Sequence, residues 1–409
     1  MNRPAHPPLY QFPVKDNCLQ VGGVALTRLT ARIGQTPFYA YDRARITERV
    51  QALREALPAG LALHYAIKAN PMPAVVQHLA TLVDGFDIAS RGEMRLALNT
   101  PMDASRISIA GPGKSEQELA CAIAAGITIN LESERELEAV ARLAHRQGVR
   151  PRVAVRVNPD FELKASGMHM GGGPRPFGID AERVPAVLGR IGARDLEFAG
   201  FHVFSGSQNL NPAAIAEAFT RTVALASRLA AQAPAPVRSL LIGSGFGIPY
   251  FPGQRPLDLG PIAQAIAKAL EDAERALPEM AIALELGRYL VGEAGVYVCR
   301  VVDRKVSRGR IYLITDGGLH HHLAASGNFG QVIRKNFPVV VGNRVHSNTT
   351  ETVTVVGPLC TPLDLLAEQM ELPPAEAGDL IVILQSGAYG LSASPTGFLS
   401  HPPPAEVLV

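Results

Sequence analysis

The stretch Leu61-Ala-Leu-His-Tyr-Ala-Ile-Lys-Ala-Asn70 reads as a short apolar strand that ends on a lysine. Seven further runs of strand length follow it: Phe86–Ala89, Ile107–Ala110, Ile127–Leu131, Val153–Val157, Phe198–Val203, Leu240–Ile242 and Ala281–Glu285. Helix-length segments separate most of them. Ser133–Arg146 carries Leu137, Val140, Ala141 and Ala144 on one face, and Ala213–Ala231 repeats apolar residues at three- and four-residue spacing. Eight β-then-α units are what a closed (β/α)8 barrel requires. An open doubly wound sheet, the competing α/β architecture, would have fewer strands and a clear dinucleotide loop.

The pattern differs on either side. Thr36–Tyr41 reads as a strand leading into a helix, with Asp42 as N-cap and Ile46, Val50, Leu53 and Leu57 as its buried stripe. Beyond Glu285, Gly295–Val302, Arg310–Thr315, Thr350–Val356 and Leu380–Leu384 are β-branched runs with little helix between them. The expected organisation is a barrel over residues 36–285 and a second, mainly β domain over 286–409, which residues 1–35 join. The 409 residues are 47% apolar and 19% charged, which excludes a disordered chain. The 39 basic and 37 acidic residues nearly cancel, so neither nucleic acid nor an anionic membrane is an expected partner. The polar, proline-rich start has no apolar run of signal-peptide length, and no run of 18 uncharged apolar residues follows. Cys18, Cys121, Cys299 and Cys360 are widely spaced and suit reduced thiols. A soluble cytoplasmic enzyme is expected.

In such barrels the reacting groups sit at the C-terminal ends of the strands. That rule selects Lys68, Asp87 with Ser90, Arg156 with Asn158, His202 with Ser205, the Gly243-Ser-Gly-Phe-Gly247 turn, and Glu285 with Arg288. Glycines after strand seven let backbone N–H groups approach a phosphate, and Arg288 supplies a bidentate cation. Lys68 is either a rim lysine reaching water or a desolvated, nucleophilic amine. A phosphate site, a lysine and an acid in one barrel mouth suggest pyridoxal 5'-phosphate. Lys68 would form the Schiff base and Glu285 would pair with the ring nitrogen, making the ring an electron sink.

Several motifs occur in order: Tyr65-Ala-Ile-Lys-Ala-Asn70, Phe86-Asp-Ile-Ala-Ser90, Val155-Arg-Val-Asn-Pro159, His202-Val-Phe-Ser-Gly206, Glu285-Leu-Gly-Arg288, Gly357-Pro-Leu-Cys360 and Gly387-Ala-Tyr389. With them the chain resembles the fold-type III pyridoxal-phosphate decarboxylases, the family of diaminopimelate, ornithine and arginine decarboxylases. The resemblance implies an alanine-racemase-like barrel with a β domain, working as a homodimer with shared active sites. It makes Lys68 the Schiff-base lysine and stacks His202 on the cofactor ring. Ser205, Gly245, Arg288 and Tyr389 would hold phosphate, with Asp87, Arg156, Gly243, Ser244 and Gly287 completing the cofactor-binding set. Cys360 would protonate the α-carbon after carbon dioxide leaves, from a loop that in relatives reaches the other subunit's cofactor.

Where relatives of the ornithine and diaminopimelate type carry Asp or Glu after that cysteine, this chain has Thr361, with Asp364 three residues on. A carboxylate facing a buried ammonium discriminates strongly, because its loss leaves a charge unpaired. The expected substrate therefore lacks a distal ammonium near Thr361, and Thr361, Asp364 and Phe177 are its expected contacts. The Gly357-Pro-Leu-Cys-Thr-Pro-Leu-Asp364 signature resembles a subgroup tied to exopolysaccharide (exosortase-type) loci, and enzymes acting on an aminoacyl group held by a carrier protein. His320-His-His322, read as strand, would place only His320 and His322 together, which is too few for a metal, and a polar rim is expected. His64 and His169 receive no role, and Asp87 is a candidate to orient Arg156. Free-amino-acid decarboxylation, racemisation and non-catalytic cofactor binding are the alternatives.

Overall fold

The computed structural model describes residues 6, 11–162, 168, 169, 171–329, 331 and 333–409. The side chain of His169 lies outside the described residues. The chain forms two compact units. One comprises residues 49–248 and 256–289, and the other residues up to Glu48, 249–255 and 290–409.

The first unit is the barrel. Its strands are β1 (Ala62–Ala66), β2 (Gly85–Ile88), β3 (Ile107–Ile109), β4 (Thr128–Leu131), β5 (Arg152–Asn158), β6 (Glu197–Phe204), β7 (Ser239–Gly243) and β8 (Ala281–Leu286). Each pairs with the next in parallel, and β8 pairs back onto β1, so the sheet closes and the open-sheet alternative falls. Outward residues such as Tyr65, Phe86 and Ile129 are fully buried. The helices start where capping chemistry dictates. Ser133 caps Glu134–Gln147, Asn211 caps Pro212–Ala230, and Ser115 closes a reciprocal box with Glu118.

The second unit is built on a mixed sheet in the order Val339–Val341, Leu380–Ile383, Gly295–Ser307, Arg310–Thr315, Glu351–Val356, Leu365–Leu372. Phe38–Tyr41 belongs to this sheet, antiparallel to Gly295–Ser307 and parallel to Ala405–Leu408. Its core gathers Leu19, Val21, Leu26, Phe38, Val296, Val298 and Val382. Asp42 caps the following helix, accepting from the Arg45 amide at 3.2 Å. Leu365–Leu372 escaped the sequence reading because Glu368, Gln369 and Glu371 interrupt its apolar pattern on an edge strand. No helix among the described residues is long and apolar enough to cross a membrane. Cys18, Cys121, Cys299 and Cys360 are all free thiols.

Candidate active site

Barrels of this type usually fill their interior with Val, Ile and Leu. This one is lined with charge. Glu285 at the end of β8 is buried, with Lys68 Nζ 3.2 Å from Oε1 and His202 Nε2 3.0 Å from Oε2. Burial alone would raise the pKa of Glu285. The Lys68 charge, the His202 bond and charge, and Arg156 outweigh it and hold the carboxyl well below the usual carboxylate range. Lys68 sits in the short turn Ile67–Ala69 directly after β1, its ammonium 4.9 Å above the Phe204 ring. Its side chain is 41% exposed, so the desolvated amine expected from sequence is replaced by one held between a carboxylate and an aromatic face, open to water.

The turn after β7 is shaped by close approach. A Cβ at Gly243 would meet the Phe204 ring at 2.0 Å, and Gly245 has a left-handed backbone (φ 73°). The Asn209 amide donates to the Gly245 carbonyl and the Gly247 amide to the Asn209 carbonyl, each at 2.9 Å, which ties this turn to the loop after β6. Ser205 is buried in that loop, and Arg288, half-buried, opens the helical turn after β8. At Gly287 a Cβ would come within 2.9 Å of Ala69, so the glycine lets β8 close on β1 beside Lys68. Ser244, expected to donate to phosphate, turns its hydroxyl onto the Glu285 carbonyl at 3.4 Å. Ser90 accepts from the Glu93 amide and is a helix cap.

Asp87 does not orient Arg156. It accepts from the Ser108 hydroxyl and faces His64, while Arg156 pairs at 2.8 Å with Glu132, whose Oε2 also accepts from the Gly178 amide at 3.0 Å. Burial favours the neutral form of Glu132, but Arg156, Lys114 and the Gly111 amide overcome it and lower its pKa. Phe177 lies against Arg156, 5.1 Å from the guanidinium carbon to the ring centroid. Asn158 accepts from the Gly172 amide at 3.0 Å and donates to the Gly173 carbonyl at 2.9 Å, anchoring the loop that carries Phe177. The sequence reading missed Glu132, although it stands immediately after β4, where the strand-end rule applies.

The remaining expected residues belong to the second unit. Cys360 is exposed. The Thr361 hydroxyl accepts from the Leu363 amide at 3.3 Å and adds no charge. Asp364 is buried and braces two loops, accepting from the amides of Leu319 (2.6 Å) and Leu359 (2.8 Å). A Cβ at Gly318 or Gly357 would strike that carboxylate, so both glycines make room for it. Tyr389 has a left-handed backbone (φ 53°) in a turn where Gly387 packs too close to the Val291 carbonyl for any side chain. His320, His321 and His322 lie in a turn and are fully buried, which replaces the expected strand and polar rim. Among the described residues no group of three or more His, Cys, Asp or Glu is arranged to hold a metal. A cavity of about 440 Å³ in this unit, lined by Thr27, Thr30, Gln35, Arg300 and Asn343, contains none of the expected reacting groups.

A lysine, an ionised buried carboxylate and a glycine turn converge in one barrel mouth, and residues 43–292 match the family described as pyridoxal-dependent decarboxylase, pyridoxal binding domain. The chain belongs to the pyridoxal-dependent decarboxylases. The enzyme is 38% identical over 395 residues to the L-glutamyl-(BtrI acyl-carrier protein) decarboxylase of Niallia circulans, covering 94% of this chain and 90% of that one. It is 33% identical over 404 residues to the diaminopimelate decarboxylase of Aquifex aeolicus, covering 97% and 91%. The crystal structure of Helicobacter pylori diaminopimelate decarboxylase complexed with L-lysine superposes with a TM-score of 0.83 at 28% identity, covering 94% of each chain. The decarboxylase acts on an amino acid or aminoacyl substrate, and racemisation and passive cofactor binding fall away.

The residues present fit a pyridoxal cofactor. Nδ1 of buried His202 has no hydrogen-bond partner among the described residues, which leaves a polar atom for a bound group to satisfy on the ring whose Nε2 holds Glu285. Glu285 is ionised and can hold a protonated ring nitrogen. When bound, the group supplies an electron sink for the bond that breaks. With the group bound, Lys68 would supply the amine, Glu285 an anion held at its place, and His202 the bond that holds Glu285.

Proposed function

We propose that this decarboxylase removes the free α-carboxylate of an aminoacyl substrate that lacks a free distal ammonium and is carried, through its side-chain carboxyl, as a thioester on an acyl-carrier protein. Pyridoxal 5'-phosphate would be held by Lys68, Glu285, His202, Ser205, Gly245 and Arg288. The observation that carries the substrate reading is Thr361: the position after Cys360 offers a neutral hydroxyl already accepting from Leu363, with no charge to pair with an ammonium. Similarity to a relative that acts on a glutamyl group held by a carrier supports the tethered form. The test is carbon dioxide release from free amino acids and from aminoacylated carriers, with Thr361→Asp and Thr361→Glu beside the parent. Preference for the tethered substrate is expected. Efficient turnover of free lysine, ornithine or diaminopimelate by the parent would sink this reading.

The exposed thiol of Cys360 supports a second element, a homodimer whose sites share residues across the interface. Mixing inactive Lys68→Ala and Cys360→Ala chains should recover about a quarter of the parental activity if each site draws on both chains. No recovery argues for self-contained subunits.

A further inference from the structure

His64 lies four residues before Lys68, in register with Gly85 of β2 and Glu285 of β8. Its Nδ1 is 3.5 Å from Asp87 Oδ2. Among the described residues neither atom has any other hydrogen-bond partner, and each faces the other. The second oxygen of Asp87 is held by the Ser108 hydroxyl, which in turn receives the Asn130 amide at 3.0 Å. Asp87 is thus a buried carboxylate fixed in one orientation. The cation expected beside it, Arg156, is committed to Glu132. A buried carboxylate without a counter-charge is strongly disfavoured.

The place of the imidazole is built into the barrel. A Cβ on Gly85 would lie 2.5 Å from both Cε1 and Nε2 of His64, so the glycine vacates the volume that the ring fills. The titratable groups acting on the ring are Asp87, Asp84 and Glu285, all acidic. The other cation at this strand end is Lys68, two residues beyond Ala66, the register partner of Asp87.

We propose that protonated His64 is a positioning residue, the counter-ion of Asp87 inside the barrel, and that by neutralising this carboxylate it leaves Lys68 directed at Glu285 and the cofactor. Burial disfavours a charged ring, but the bond to Asp87 and the three acidic groups prevail and raise its pKa. The pair therefore adds stability fully below pH 6.5, and this is lost as pH rises through the raised folded-state value.

Two readouts on the full chain decide it. The first is the Cε1–H resonance of His64 in cofactor-free protein, assigned by its loss in His64→Gln. Its midpoint should exceed 6.5 and fall by at least about one pH unit in Asp87→Asn; a midpoint indifferent to Asp87→Asn overturns the pairing. The second is the rate at which added pyridoxal phosphate is trapped on Lys68 by borohydride. It should drop about tenfold in His64→Gln and recover in His64→Gln/Asp87→Asn, where the charge is removed with its partner. Unchanged trapping in the single variant overturns the positioning role even if the pair is real, as does a double variant no better than the single one. If His64→Gln fails to fold, triple-resonance assignment of the parent replaces it, and Asp87→Asn still decides the pairing. A parent that traps no pyridoxal phosphate sinks the cofactor reading instead, which keeps the two failures apart.

Discussion

Two sets of histidines divide this protein. In the barrel, His64 and His202 each face a carboxylate, Asp87 at 3.5 Å and Glu285 at 3.0 Å. In the second unit, His322 meets the Ser386 hydroxyl, His321 meets Tyr297 and the Pro402 carbonyl, and His320 stacks on His321 at 3.6 Å between ring centroids. Loss of water drives His320, His321 and His322 down to about 3, 4 and 3, with repulsion between rings adding to it for the first two. Desolvation acts on both sets, yet His64 ends with a raised pKa and His320–His322 with lowered ones. Asp87 draws His64 towards its charged form, whereas rings beside hydroxyls, carbonyls and other rings stay neutral and serve packing.

The contrast can be attacked first where the charges are densest. Lys68→Ala should lower carbon dioxide release by at least about a thousandfold, since it removes the nucleophile, and borohydride should then fix no cofactor to the protein. Glu285→Gln keeps the shape but not the charge, and kcat should fall on the order of a hundredfold to a thousandfold while the far-ultraviolet spectrum is retained. Glu132→Ala strands Arg156 in the barrel and should cost about 3–5 kcal/mol in urea unfolding.

The second unit should respond to pH rather than to charge removal. Its imidazoles titrate below the unfolded value of about 6.5, so the unfolded chain takes up protons first. Stability should be full above pH 6.5 and decline as pH falls towards 4, seen as a dropping Tm. The smallest effect belongs to His320→Leu. Both ring nitrogens of His320 lack partners among the described residues, so removing them should leave stability within about 1 kcal/mol, or improve it, and should flatten the acid decline. A loss of several kcal/mol would mean that the ring holds a bond this structure does not show.

Much of the barrel is legible in the amino-acid order. All eight strands fall within a residue or two of the apolar runs, and Lys68, His202 and Glu285 do converge. The strand-end rule works because it needs only the local rise of a strand and the direction of the chain. It fails where pairing runs between strands. Arg156 finds Glu132 rather than Asp87 because the β4–β5 register sets Leu131 opposite Val155, which brings the next residues of both strands together. Nor can residue type reveal that Asp364 braces two glycine loops, since Leu319 lies 45 positions away.

Local periodicity and residue chemistry alone determined the order of the barrel's β and α units, the number of its strands and most of the polar side chains at their ends. The partner of each buried charge was decided only when the sheet closed. Closure fixes the stagger between strands, and that stagger brings Lys68 to Glu285 across 217 residues and His64 to Asp87 on the neighbouring strand.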